Sequence, residues 1–577
     1  MSDVTHAYRL TLVPHAARLE GELLLPAGAH LLETVSWVPG AYAFMRYGRD
    51  LVDVRAEDAE TGTPLAVVRE GWTGYRVATA ERAVRVRFRV AMADVAWGEL
   101  AGYVSLEHAV VHATRVPHVR ALGGAVRVEW IVPADWAMHH PAGAAAEGSH
   151  TFVYPSFAAW LDLPVVAGAF TERTRKEGST TFHHVFLERA VGMDTELDAF
   201  VDDVQKLARV TGEVFGSFPF AEYTFVWSFD SRMHWGLEHA NSTLVGVGPL
   251  CLVDPEARFS ALRVAAHELV HAWNVCRLKP AALVNVDLVA GGFPGELWVA
   301  EGFTRYYEFL LTARAGFCSA ERFFANVVNY HRGTTTRPGY ERTTPLDSSQ
   351  ATFLNHHRYP NAANTMIDYY DAGMLVAFDV DAYLRCRQGT LDTGFRALYT
   401  QFGTSASGYT HDDVCSVFAE LGAEALIRTE VETAGALSTV ERLRELGFTC
   451  DVTAVPTLGV VLDGERIVHV LEGSGAEAAG LHCDDRIVAH DGLAFSATGL
   501  AWLIAHRTSL ELTVRRGDRQ HVRIATLGTR REITRLVFEG GTEHEARLTA
   551  WLGSCPAVGT EISLRPYDNF HGTERAV

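Results

Sequence analysis

No apolar run in the 577 residues is long enough for a membrane span, which needs about 20. Basic tracts and acidic tails are also missing. The formal net charge of −19 argues against nucleic acid as a partner, because one polyanion repels another. Cysteine is sparse: eight residues, at 251, 276, 318, 386, 415, 450, 483 and 555, with no C-x-x-C pair among them. That scatter suits reduced thiols better than a disulfide framework or a cysteine-rich zinc module. The opening residues, Met1-Ser2-Asp3-Val4-Thr5-His6-Ala7-Tyr8-Arg9, lack the basic-then-apolar pattern of a secretion signal, so a cytoplasmic location is expected. What is present, 48% hydrophobic and 21% charged residues, suffices for three or four domains with cores of their own.

The texture changes along the chain. In residues 1–185, Tyr8-Arg9-Leu10-Thr11-Leu12, Val84 to Val90 and Val126-Arg127-Val128-Glu129-Trp130 alternate with period two between Gly, Pro and Asp breaks. This predicts an antiparallel β-sandwich. From Met193 the apolar residues Leu197, Phe200, Val201, Val204, Leu207 and Ala208 keep helical spacing, and residues 186–450 read as mostly helical after a few opening strands. Residues 456–528 return to short strands around a Gly473-Ser474-Gly475-Ala476 turn. Residues 531–577 are read as further strands, at Arg535-Leu536-Val537-Phe538 and Glu561-Ile562-Ser563-Leu564. The whole is a multidomain α+β chain.

The chemistry centres on His267-Glu268-Leu269-Val270-His271, the one H-E-x-x-H present. Two imidazoles four residues apart on a helix share a face and can grip one zinc ion, with the glutamate placed to take a proton from bound water. Apolar Phe259, Leu262, Val264, Ala265, Leu269, Val270 and Trp273 predict a buried helix, closed by Pro280. A catalytic zinc usually takes a third protein ligand. Glu301, set among Trp298, Val299, Ala300 and Phe303 on a second helical segment, is the candidate. A carboxylate in apolar surroundings needs a cation. Thr304, one turn on, is a candidate hydrogen-bond donor to it.

His267 to Pro280 (H-E-L-V-H-A-W-N-V-C-R-L-K-P) and Leu297 to Tyr307 (L-W-V-A-E-G-F-T-R-Y-Y) resemble the signature segments of the glycyl aminopeptidase family. These are PDZ-containing zinc metallopeptidases of the gluzincin group, distantly similar to aminopeptidase N and thermolysin. Three more segments agree in order: Trp37-Val38-Pro39-Gly40-Ala41-Tyr42, with Arg46, Tyr47 and Arg49 following; Gly236-Leu237-Glu238-His239; and Tyr369-Tyr370-Asp371-Ala372-Gly373, where alanine replaces the usual lysine. The likeness spans roughly residues 7 to 530. It implies a thermolysin-like catalytic domain over 186–450, a PDZ domain over 456–528 and one catalytic zinc. Glu238, with Gly236 and Leu237, is then expected to bind the free N-terminus of a peptide. Tyr370, with Tyr369 in reserve, is expected to stabilise the oxyanion, and small N-terminal residues (Gly, Ala) to be preferred. His234, His239, His356 and His357 are expected to support the site rather than ligate. The Leu458-Gly459-Val460 loop would suit a peptide C-terminus. Two rivals stand beside this reading: a zinc enzyme of neighbouring chemistry, such as an endopeptidase or an epoxide hydrolase, and a PDZ-based peptide-binding protein with a vestigial metal site.

Overall fold

The computed structural model describes residues 4–38, 40, 42–94, 102–119, 122–188, 192–230, 236–352, 359–564 and 574–576. Pro39, Ala41, His234, His356 and His357 lie outside the described residues. The chain divides into two compact units, Met1–Arg277 with Ala282–Gly292 and Leu278–Ala281 with Phe293–Val577. The division runs through the 186–450 segment.

The first unit opens with strands β1 (Val4–Val13), β2 (Arg18–Leu25), β3 (Leu51–Asp58), β4 (Val84–Ala91), β5 (Ala125–Ile131) and β6 (Thr151–Tyr154). They run β6-β5-β1-β2-β4-β3 within an eight-stranded sheet. The expected alternation is there: Leu10, Leu23, Val86, Val128 and Trp130 point into one core, shared with Leu32 and Val77 of a three-stranded sheet and Val111 and Val165 of a four-stranded one. The sheet is not purely antiparallel, however. β1 and β5 pair in parallel, Leu10 opposite Trp130, after a crossover of more than a hundred residues. Period-two patterning reports which face is buried and says nothing of strand direction.

A second sheet of the first unit is built from β7 (Thr171–Glu177), β8 (Thr180–Phe186), β9 (Glu222–Ser228), β10 (Gly236–Glu238) and β11 (Ser242–Gly246), in the order β7-β8-β9-β11-β10. β9 pairs in parallel with both β8 and β11 and is buried at every residue after Glu222, so it is a central strand. β10 is the edge. Helix α1 (Asp194–Phe215) packs on α2 (Pro255–His271), and α2 lies across β10 and β11. One glycine, Gly216 at φ +85°, ends α1 in the left-handed conformation that a residue without Cβ adopts freely.

The second unit is helical and then β-rich. Its helices include α3 (Leu297–Ala300), α4 (Gly302–Arg314), α5 (Ala320–Thr335), α6 (Tyr369–Arg385), α7 (His411–Ala419), α8 (Glu424–Glu432) and α9 (Thr439–Glu445). β12 (Phe448–Thr457) leads to a sheet containing β13 (Val460–Asp463), β14 (Arg466–Val470), β15 (Arg486–His490), β16 (Ser509–Arg516) and β17 (Arg519–Thr526), with α10 (Ala497–His506) packing beside it. β18 (Gly528–Phe538) returns along the full length of β12. The terminal segment then forms α11 (Thr542–Leu552), a helix where only strands were expected, before β19 (Glu574–Ala576). Trp551 of α11 explains that placement. Its ring packs on Phe323, Phe324 and Phe378, and its indole N–H donates to the Tyr306 hydroxyl at 3.1 Å.

Between α6, α8 and α9, Asp379 and Glu430 are buried together, each with one carboxyl oxygen that meets no donor. Thr439 donates to Asp379 at 2.8 Å, and the Ser438 backbone N–H donates to Glu430 at 3.0 Å. Burial pushes Glu430 up to about 7, and burial followed by the charge of Glu430 pushes Asp379 well above the carboxylate range. Because both groups are raised on folding, their contribution to stability is complete below the ordinary carboxyl range and is lost as pH rises through about 7. Between pH 5 and 8 the unfolding temperature should therefore fall more steeply in the native chain than in Asp379→Asn, measured by circular dichroism melts at matched ionic strength.

Candidate metal and catalytic site

In the first unit, Asp254 caps α2, accepting the Ala257 N–H at 2.8 Å, and Pro255 occupies the first turn, where no N–H is needed. The helix ends at His271, earlier than Pro280 would suggest. His267 and His271 are buried on one face with ring centroids 4.6 Å apart. His271 Nδ1 lies 2.6 Å from the Asn274 carbonyl oxygen. A carbonyl only accepts, so Nδ1 carries the proton and the lone pair resides on Nε2, as a metal ligand requires.

Glu268 is buried with its carboxylate directly against β10. A Cβ built on Gly236 would stand 1.9 Å from Glu268 Oε1, so only glycine fits there. Tyr223 donates to the Glu268 main-chain carbonyl at 3.3 Å. Burial, then Cys276, Glu268 and Glu238, hold the Tyr223 phenol well above its ordinary range, so it stays a donor. Leu237 is buried, and its carbonyl accepts from Thr243 at 3.0 Å. Glu238 closes the strand. Gly40, at φ +84°, lies so close that a Cβ there would come within 2.5 Å of Glu238 Oε1. Gly40 of the β-rich domain thus reaches the predicted substrate carboxylate, a placement that the motif alone did not disclose. His239 is buried beside Asp162, Nδ1 to Oδ1 3.2 Å, and the same carboxylate accepts the Ala240 N–H at 3.1 Å. It anchors the end of β10, as a supporting residue would.

In the second unit, Glu301 is the hinge residue between α3 and α4 and is buried among Trp298, Val299, Ala300 and Phe303. Thr304 donates its hydroxyl to the Ala300 carbonyl at 2.7 Å, a bond within its own helix rather than one to Glu301. Gly302 and Gly373 let α3–α4 and α6 touch through their backbones. A Cβ on Gly302 would lie 2.4 Å from Gly373 Cα, and one on Gly373 would lie 2.3 Å from the Trp298 oxygen. This contact carries Tyr369 and Tyr370 toward Glu301. Burial and then the charge of Glu301 push the Tyr369 phenol well above its usual range. Tyr369 is buried, and its hydroxyl accepts from Thr352 at 2.9 Å. Tyr370 is only half-buried, stacked on Tyr369 at 4.9 Å. Ala372 is enclosed in an apolar cluster with Tyr340 and Ile367. Arg305 lies 4.6 Å from the Tyr370 ring centre and is ion-paired with Asp371. The sequence gives no signal for this contact, since Arg305 lies within α4 one turn beyond Glu301.

Among the described residues one further group has metal-ligand character: His411, Cys415 and Glu432. There His411 Nε2 meets both Glu432, at 2.9 Å, and Cys415, at 3.5 Å, while Arg428 neutralises Glu432 at 2.9 Å. His411 and then Arg428 hold the Glu432 carboxyl below its ordinary range. It is a hydrogen-bonded ion-pair network whose cation is already in place.

Residues 260–376 match the M61 glycyl aminopeptidase family, and residues 7–169 match the N-terminal domain of the same M61 peptidases. No curated protein matches the chain. Among solved structures, an aminopeptidase N family protein from Idiomarina loihiensis superposes with a TM-score of 0.86 at 20% identity, over 96% of this chain and 100% of that one. A two-domain M1 zinc metallopeptidase bound to L-arginine gives a TM-score of 0.44 at 17% identity, over 75% of this chain and 95% of that one. Yeast LTA4 hydrolase in complex with bestatin gives 0.47 at 13% identity, over 75% and 68%.

Gly302→Ala and Gly373→Ala should each destabilise the chain by about 1–3 kcal/mol, since backbone atoms cannot move aside as a flexible side chain does. Gly248→Ala, where a Cβ meets nothing within 4 Å, should be near neutral; chemical denaturation of the three variants checks this.

Proposed function

We propose that this chain, a metallopeptidase carrying both M61 glycyl aminopeptidase domains, is a zinc-dependent aminopeptidase that removes small N-terminal residues from peptides. His267, His271 and Glu301 would hold the single zinc ion. Each is buried, and two imidazoles with a carboxylate are the donor set of a catalytic zinc ion. Zinc bound there supplies a more acidic water and polarises the scissile carbonyl.

The remaining work falls to the chain itself. Glu268 takes the proton from the attacking water and passes it to the leaving amine. Tyr370 donates to the developing oxyanion, with the Arg305 cation held against its ring. Glu238 pairs with the α-ammonium of the substrate. The observation that carries the exopeptidase reading is the placement of the two glutamates along β10, Glu268 of α2 against the strand and Glu238 within it. Glu268 abuts Gly236, and Glu238 lies two positions along the same edge strand, about 7 Å further on at the usual rise. That interval suits one residue between a fixed amine and the bond to be cut. The close approach of Gly40 to Glu238 supports a narrow pocket and hence a preference for glycine and alanine. Residues 456–528 are read as a PDZ-type module, supported by the Leu458-Gly459-Val460 turn before β13 and by α10 beside the sheet. A zinc endopeptidase and a binding protein with a vestigial metal site are the readings to be beaten.

Glycyl- and alanyl-arylamides should be hydrolysed only with a free N-terminus, with loss of turnover on chelation and recovery on adding zinc. Glu268→Gln should lower kcat by roughly 100- to 10,000-fold. Glu238→Gln should weaken kcat/KM for free amines. Turnover of N-acetylated substrates at equal rates would reject the amine-anchor role and return the endopeptidase reading.

A further inference from the structure

Strand β10 (Gly236–Glu238) carries the proposed amine anchor, yet it is three residues long and pairs with β11 alone. An edge so short has little stiffness of its own. Its place against α2 is set at its two ends. At the first, Gly236 abuts Glu268. At the second, the turn that follows Glu238 is gripped by Arg277, which lies beyond the end of α2.

Arg277 Nη1 donates to the Ala240 carbonyl at 2.7 Å and to the Ala272 carbonyl at 2.6 Å, and Nη2 donates to Asn241 Oδ1 at 2.9 Å. All three acceptors are neutral, so the arginine serves here by shape: one planar fork spans two elements. Ala272 directly follows His271, and Ala240 and Asn241 come directly after His239. A single side chain thus joins the end of the histidine helix to the end of the strand bearing Glu238.

The same turn is fastened to the rest of the first unit by other bonds. Asp162 accepts the Ala240 N–H at 3.1 Å, Asn241 Nδ2 donates to the Ala142 carbonyl at 2.9 Å, and the Asn241 carbonyl accepts the Thr224 N–H at 3.0 Å. Those partners belong to the β-rich domain and to β9. The bonds to the end of α2 come from Arg277. We infer that Arg277 is a positioning residue: by clamping the Ala240 turn to the end of α2, it fixes the interval between Glu238 and Glu268. That interval sets the register in which a substrate N-terminus meets the bond to be cut. The inference rests on the aminopeptidase reading of the two glutamates and adds the residue that holds their spacing.

The test compares the zinc-replete native chain, Arg277→Lys and Arg277→Ala on alanyl-arylamide. Each is assayed with and without about 20 mM guanidinium chloride, far below the denaturing range, against a sodium chloride control. A loosened Glu238 weakens amine binding ahead of the chemistry, so Arg277→Ala should raise KM about tenfold with kcat within about threefold. Arg277→Lys keeps the charge without the planar fork and should fall between; it carries the comparison if the alanine variant does not fold. Free guanidinium should restore much of the lost KM, and sodium chloride should not. Amide exchange read by mass spectrometry is independent of turnover. Residues 236–242 should exchange faster in the variants, residues 259–268 should not, and guanidinium should return the protection. Unchanged KM, equal losses in kcat and kcat/KM, no rescue by guanidinium, or exchange unchanged at 236–242 would overturn the inference. Faster exchange throughout α2 would also overturn it, by showing Arg277 to be a helix cap alone. A native chain that turns over no free-amine substrate rejects the aminopeptidase reading instead, and exchange at 236–242 still decides whether Arg277 holds the turn.

Discussion

Backbone-to-carboxylate and backbone-to-backbone contact at glycine is the constraint on which the site depends. Gly236 brings the edge strand against Glu268, Gly40 brings the β-rich domain against Glu238, and Gly302 with Gly373 brings the Glu301 segment against the tyrosine helix. None of these positions has space for a methyl group. A displacement of about an ångström at any of them would shift a proposed catalytic group by a comparable distance, a scale on which reaction geometry is lost.

The contact at Gly40 changes the standing of the N-terminal domain. Its sheets bury their own core and would be stable scaffolding on that ground alone. Yet the segment leaving that core places a left-handed glycine beside the carboxylate proposed to receive the substrate amine. Substrate selection in this reading is shared between a β-rich domain and an edge strand of the neighbouring sheet, all within the first unit.

Much of this was legible in the sequence, and the parts that were not have physical reasons. The histidine pair was readable because helical period fixes the face of residues four apart. Glu301 was readable because a lone carboxylate among aromatic and aliphatic neighbours demands a partner. Buried and exposed faces of β1, β4 and β5 followed from alternation. Parallel pairing of β1 with β5 did not, because direction depends on a crossover and leaves no mark on period two. Arg305 was not legible because its contacts with Tyr370 and Asp371 arise only when α4 and α6 are packed together. α11 was missed although Leu548, Trp551 and Leu552 share one helical face; the strand-like run Arg535 to Phe538 before it set the expectation.

α2 stops at His271, with Asn274 folded back on that imidazole. The last carbonyls of a helix concentrate about half a negative charge at its C-terminal end. The histidine pair therefore lies on the final turn, where the peptide dipoles themselves favour a cation. A helix continuing to Pro280 would have kept the same two ligands and moved that favourable field two turns away. The early end of the helix makes the main chain an electrostatic contributor to the proposed metal site, alongside the side chains that would bind the ion.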